Sequence, residues 1–223
     1  MRITAILVFT AVLAAAVLTG CGSSSTGPSG PVDYFPIAIG NTWNFSIDGY
    51  LIPAGSADTI LLDGILERVI VDTTQHQQGF EVWVLKDISA VTFIQGDTTV
   101  TMRDTSFMYT FETSNEILAY DDTVSTDHEI VSKLPVTVGE TWEPYSDDST
   151  TVREVLSVTA SVSVPAGSFT GCAHFRDTDS EYPDDNYEFW LAPGVGFCRI
   201  INHMVDSTEV IHFDGELESY VVN

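Results

Sequence analysis

An all-β domain, mainly antiparallel, is what this 223-residue sequence predicts. Three observations carry that expectation. Apolar and polar residues alternate with a period of two through most of the chain, which turns one face of a strand inward. Thr, Val, Ile and aromatic residues dominate these runs, and their side chains suit a pleated surface. Asp-Gly, Asp-Thr and Pro-Gly pairs punctuate the runs where turns are needed. No amphipathic helix longer than two turns is legible.

Taken in order, residues 1–20 read as a secretory leader. Arg2 supplies an early positive charge, and Ile3 to Leu18 is apolar or small apart from Thr4 and Thr10. The run falls short of the about 20 residues that a membrane-spanning helix needs. An uncleaved N-terminal anchor helix is the other reading. Leu18-Thr19-Gly20-Cys21 resembles the lipobox of bacterial lipoproteins: an aliphatic residue, two small residues, then cysteine. The resemblance implies cleavage before Cys21, a diacylglyceryl thioether on it and an acyl chain on its new amine. Each buried methylene contributes about 0.8 kcal/mol, so two or more chains anchor stably. The implied location is the cell envelope. Gly22, where an aspartate would retain such proteins, favours the outer membrane in a host with two membranes. Residues 21–32 are rich in Gly, Ser and Pro and read as a tether.

Residues 33–223 then form the β-rich domain. The expected strands are 42–50, 59–72, 79–86, 97–112, 115–120, 129–131, 151–164, 169–175, 187–191, 197–205 and 208–220. In the first, Trp43, Phe45 and Ile47 alternate with polar partners. In the second, Asp63-Gly64 suggests a bulge or turn. The third is apolar on both faces (Phe80, Val82 and Val84 against Trp83 and Leu85), which suggests cover on two sides. Pro165-Ala166-Gly167 and Pro193-Gly194 mark turns in a C-terminal meander.

Charge narrows the partners. With 8 Lys+Arg against 32 Asp+Glu, the net charge is −24. Such a surface repels nucleic acid and anionic lipid headgroups, so acyl chains and not charge must hold the membrane. Solubility in salty surroundings is the plain reading of the acid excess, and attraction of divalent or organic cations is the sharper one. With Cys21 given to the anchor, Cys172 and Cys198 remain. An exported chain favours their pairing as a disulfide. Two buried free thiols are the alternative.

One nonapeptide recurs. Phe35-Pro36-Ile37-Ala38-Ile39-Gly40-Asn41-Thr42-Trp43 matches Leu134-Pro135-Val136-Thr137-Val138-Gly139-Glu140-Thr141-Trp142 without gaps. Pro stiffens the approach, Gly permits a tight turn, and Trp opens a strand. The echo suggests two related β units, 33–133 and 134–223. A strand-opening motif used twice in one sheet would look the same.

Tyr34-Phe35-Pro36 with Gly40-Asn41-Thr42-Trp43, Pro165-Ala166-Gly167-Ser168-Phe169 with Cys172, and Trp190 with Ala192-Pro193-Gly194-Val195-Gly196 resemble a group of bacterial envelope lipoproteins. Their domain is similar to the open β-barrel of the lipoprotein carriers LolA and LolB. The resemblance spans most of residues 33–205 and implies an open or incomplete β-barrel, or curved sheet. No helical pattern is present here to plug a barrel mouth.

Chemistry is less legible. No Gly-x-Ser-x-Gly elbow, phosphate-binding loop, dinucleotide fingerprint or His-Glu-x-x-His occurs. His76 and His128 stand alone, while His174, His203 and His212 fall on C-terminal strands and could converge on a metal. The densest acidic stretch offers Asp177, Asp179, Glu181, Asp184 and Asp185 as a calcium loop, although Tyr182 stands where an EF-hand needs Gly. A solvated hairpin loop is the alternative. Trp43, Trp83, Trp142 and Trp190 read as core anchors. The expected function is a non-catalytic ligand-binding or envelope-assembly module with a concave face for an apolar or peptide-like ligand. The alternative is a structural envelope protein with no small-molecule ligand.

Overall fold

The computed structural model describes residues 32–223. The leader, Cys21 and the tether up to residue 31 lie outside the described residues. Among those described there are twelve strands and no helix. They are β1 (Thr42–Pro53), β2 (Ile60–Gln75), β3 (Glu81–Gln95), β4 (Thr98–Glu112), β5 (Glu116–Tyr120), β6 (Glu129–Lys133), β7 (Thr141–Trp142), β8 (Thr151–Val164), β9 (Gly167–Asp179), β10 (Asn186–Ala192), β11 (Gly196–Val205) and β12 (Glu209–Val221).

All twelve belong to one antiparallel sheet, in the order β6-β5-β4-β3-β2-β1-β12-β11-β10-β9-β8-β7. Two six-stranded meanders, β1 to β6 and β7 to β12, are joined where β1 pairs with β12. The sheet is open, as expected, and strongly curved. Its edges meet at one stitch, a bridge between Glu129 and Tyr145. There Ile130 N–H donates to Pro144 O (2.7 Å) and Ser146 N–H to His128 O (3.0 Å). On the far side, Ala166 N–H in the β8–β9 turn reaches Leu217 O of β12 (2.8 Å). Trp43, Phe45, Leu66, Ile70, Leu85, Phe175, Phe189 and Leu217 fill the concave side and are almost wholly buried.

The recurring nonapeptide adopts one local structure twice. Gly40 and Gly139 both take positive φ (90° and 80°), open to glycine without strain. Gly40 N–H bonds Ile70 O and Ile70 N–H bonds Asn41 O (2.8 and 2.9 Å). Gly139 and Glu140 do the same with Val155 (2.8 and 3.0 Å). Each tryptophan then faces an arginine on the next strand: Trp43 pairs with Arg68, and Trp142 with Arg153. Each arginine faces an aspartate on the strand after: Arg68 with Asp87, and Arg153 with Asp177. In both cases Nε and Nη2 form a fork on the two carboxylate oxygens, at 2.6 and 2.5 Å for Asp87 and 2.7 and 2.7 Å for Asp177.

Arg153 does more. Its Nη1 donates to Glu129 Oε1 (2.8 Å), Ile130 O and Val131 O (both 3.1 Å), so it ties β8 and β9 to β6 across the sheet's two edges. Its guanidinium also lies 4.9 Å from the Phe189 ring centroid. The side chain is fully buried, and five charge-assisted or carbonyl acceptors replace its water.

Two local expectations change. Asp63-Gly64 is neither turn nor bulge: Gly64 sits inside continuous β2, between Ile47 and Val91. A Cβ there would come within 2.8 Å of Ala90 O, so close strand packing demands glycine. The strand expected over 79–86 runs on to Gln95, because Asp87 turns inward to Arg68 instead of ending it. Val82 and Leu85, on opposite faces, are both buried, while Trp83 and Val84 are half-buried.

Arg153→Met should lower the unfolding free energy by about 3–5 kcal/mol, because Asp177 and Glu129 are left as uncompensated carboxylates. Urea unfolding curves measure this. Arg153→Met combined with Asp177→Leu and Glu129→Leu should recover much of the loss, since an apolar replacement removes the stranded charges.

Candidate functional site

Curvature leaves a cavity of about 610 Å³ between the two meanders, under the stitched edges. That size suits a small-molecule ligand, for which pockets of about 300–1,000 Å³ are usual. Ile47, Leu66, Met108, Ile200, Met204 and Phe213 make its apolar floor. These face inward because strand alternation puts them on the concave side with the core.

The mouth is acidic. Asp121, Asp122, Asp127, Glu129, Asp147, Asp177, Asp179 and Asp185 line it together with His128 and His203, and no Lys or Arg does. The carboxylates divide into three groups. Glu129 and Asp177 are spent on Arg153. Asp122, Asp179 and Asp185 cap loop backbone. Asp122 Oδ1 accepts from Val124 and Ser125 N–H (2.7 and 2.6 Å), which holds its carboxyl below the usual range. Asp179 Oδ1 accepts from Glu181 N–H (2.7 Å), and Asp185 Oδ1 from Val205 N–H (2.6 Å). Burial nonetheless pushes Asp185 up, with Asp179 adding to the effect. Asp121, Asp127 and Asp147 are exposed and carry no structural bond of their own among the described residues.

Tyr187 is the unusual member. Its β10 position pairs with Asp177 on β9 and Asn202 on β11, both of which line the cavity. Its hydroxyl is withdrawn from water and meets no hydrogen-bond partner. Burial, reinforced by Glu129, holds the phenol well above its usual range, so it keeps its proton. Tyr145, from the stitch, lines the same cavity but is exposed.

The expected calcium loop does not assemble. Among the described residues no three His, Cys, Asp or Glu side chains converge in a way that could hold a metal. Asp177 serves Arg153, Asp179 and Asp185 serve backbone, and Glu181 and Asp184 are exposed. The C-terminal histidines also divide. His203 and His212 face each other across β11 and β12, ring centroids 5.6 Å apart. His174 stacks on Trp190 (4.2 Å) and bonds Glu188 (2.6 Å) elsewhere. His76 lies buried between Phe80 and Tyr120.

Cys172 on β9 and Cys198 on β11 are buried, free, and within hydrogen-bond reach of each other. They come together beside the β10–β11 register shift at Trp190/Leu191. The bond from Cys198 holds the Cys172 thiol below its usual range. The same bond, with burial, pushes Cys198 far up.

Sequence reasoning reached Asp177, Asp179 and Asp185 but not the cavity that gathers them. It missed Tyr187, Tyr145 and the mouth acids 121, 122, 127 and 147. The one available signal was the run of turn acids in 121–127 and 147–148, which alternation cannot place in space.

No protein-family model matches the chain, and no curated protein matches it. Two solved structures are similar in outline. One, from Bacteroides fragilis, is described as an exported protein with a YmcC-like fold. It shares 13% identity, with 84% of this chain and 98% of that one covered, at a TM-score of 0.36. The other, from Parabacteroides distasonis, is described as a lipoprotein. It also shares 13% identity, with 86% and 99% covered, at a TM-score of 0.34. Likeness this distant assigns no role to any residue here. The resemblance to the carriers LolA and LolB rests on sequence motifs alone.

Under oxidising conditions Cys172 and Cys198 should bridge. Alkylation of the denatured protein without reductant should then leave both unlabelled, and reduction should expose both. Labelling of both before reduction would show that they persist as thiols.

Proposed function

We propose that this chain is a lipid-anchored envelope protein that holds a small ligand, with an apolar part, in the cavity of its curved sheet and performs no chemistry on it. The observation that carries the reading is the cavity itself: about 610 Å³, floored by apolar side chains that the core does not close over. The leader and the Leu18-Thr19-Gly20-Cys21 motif support the location. An acylated Cys21 places the domain beside a bilayer, on a tether short enough to keep it there. The outer membrane is the favoured site in a host with two membranes, since Gly22 follows the cysteine.

Two measurements test this. Cys21→Ser should move the chain from the membrane fraction to the soluble fraction. Protein isolated from its native envelope, once denatured, should release a small molecule that Met204→Trp, which fills the cavity, no longer carries. Equal unfolding temperatures for the two proteins would show that the fold is intact. Release of nothing from either would favour a purely structural envelope protein.

A further inference from the structure

The outer edge of β4 is unpaired over most of its length. β3 flanks the whole strand, but β5 joins its other side only from Tyr109 onward. Residues 98–108 therefore present free backbone N–H and C=O groups along one side. Such an edge is a template for a further strand, and proteins usually protect it with a bulge, a proline or a short length. Here the β3–β4 register runs without a shift, and the segment holds no proline. The free stretch of β8 differs, since three register shifts bend it and Ala166 N–H, in the turn that follows, ties it to Leu217 O.

Charge supplies the second observation. Among the described residues, Arg68, Arg153, Arg176 and Arg199 are each held by a carboxylate, and Lys133 lies over the Trp142 ring. Lys86 and Arg103 have no such partner. Both sit on the outer face beside the free edge, Lys86 opposite Phe107 and Arg103 opposite Ala90. Ile65, Ile88 and Phe107 are exposed around them, with a shallow depression of about 340 Å³ over Ile65, Ile88 and Arg103. Glu67, opposite Ile88, is the one acid on that face of the depression, while Asp104 takes the inner face opposite Ser89. In a chain of charge −24, the two cations that the fold does not use lie beside the strand edge that the fold does not pair.

We propose that the β4 edge takes an extended, acidic segment of another protein as a further strand of the sheet. Backbone bonds along residues 98–108 supply affinity, and the segment's side chains supply specificity. On the outer face an acid lies opposite Arg103, and an apolar residue lies opposite Phe107. On the inner face apolar residues lie opposite Val100 and Met102, both exposed in the free chain. A second copy fits less well. Pairing β4 with itself about Arg103 or Asp104 sets like charges opposite each other, and each chain carries −24. A bilayer offers no bonds to the free N–H and C=O groups.

Two end-blocked peptides test this against the full chain in neutral detergent: Val-Thr-Glu-Thr-Glu-Val-Glu-Val-Thr, and the same peptide with Lys in place of Glu. Fluorescence anisotropy of the labelled peptides measures affinity, and hydrogen exchange locates the contact. The Glu peptide should bind more tightly than the Lys peptide and slow exchange in residues 98–108. Methylating alternate backbone nitrogens blocks one edge of a peptide strand, so one of the two alternate sets should abolish binding and the other should spare it. Arg103→Glu should weaken the Glu peptide about tenfold and strengthen the Lys peptide. Its unfolding temperature should not change, since Arg103 is exposed and holds no partner in the fold. Equal binding of both peptides would overturn the acidic assignment. Binding of neither, or binding without slowed exchange in 98–108, would overturn the edge as a docking site. Without peptide, a dimer with 98–108 protected would assign the edge to a second copy instead. Protection in vesicles that contain phosphatidylglycerol, but not in phosphatidylcholine alone, would assign it to the bilayer.

Discussion

Arg153 ties together the two edges of an open sheet, beside a short backbone stitch. An open twelve-stranded sheet leaves two rows of free N–H and C=O groups, and the bending that brings them together has no helix to enforce it. The Arg153 guanidinium supplies the enforcement together with the backbone stitch at Glu129 and Tyr145 and the Trp142 indole, which donates to Ile130 O (3.0 Å). The guanidinium's fork on Asp177 is fixed within the C-terminal meander, and its remaining nitrogen holds a carboxylate and two carbonyls of β6. Because the charge is buried, it can be solvated only where those groups converge. The cavity exists because the edges meet there.

Arg68 and Asp87 repeat the arrangement in the other meander, under Trp43 instead of Trp142. Buried ion pairs are weak arguments for stability, since apolar packing can match them. They do constrain register. A slip of one residue would put the arginine on the convex face and leave its aspartate buried without a partner. Each Trp-Arg-Asp row therefore pins three strands, and each follows directly from a glycine turn that sets where the tryptophan enters.

The acid excess serves different ends in different places. Some carboxylates neutralise the two buried arginines. Others cap turns, as Asp122, Asp148 and Asp179 do for the N–H groups behind them. Others, such as Asp63, Asp97, Glu154 and Glu218, simply face solvent, and a few line the cavity mouth. Composition gives one number for all these uses, which is why net charge spoke to solubility before it spoke to a partner.

The strands were legible because period-two alternation and turn residues are local properties: Trp43, Phe45 and Ile47 show their face within a few residues. The lipobox-like Leu18-Thr19-Gly20-Cys21 was legible for the same reason, as a short motif ending a run of apolar residues. Asp87 and Arg153 were not, since a charged residue inside a strand reads as an end or a solvent face until its partner is known. Those partners lie 19 and 24 residues away. The mouth acids and the Tyr187 hydroxyl were likewise present in the sequence without an address, whereas Cys172 and Cys198 were already paired candidates as the two cysteines left beside Cys21. Local chemistry determined which segments became strands. Only closure of the curved sheet, a matter of contacts between residues far apart in the chain, decided which side chains share a cavity.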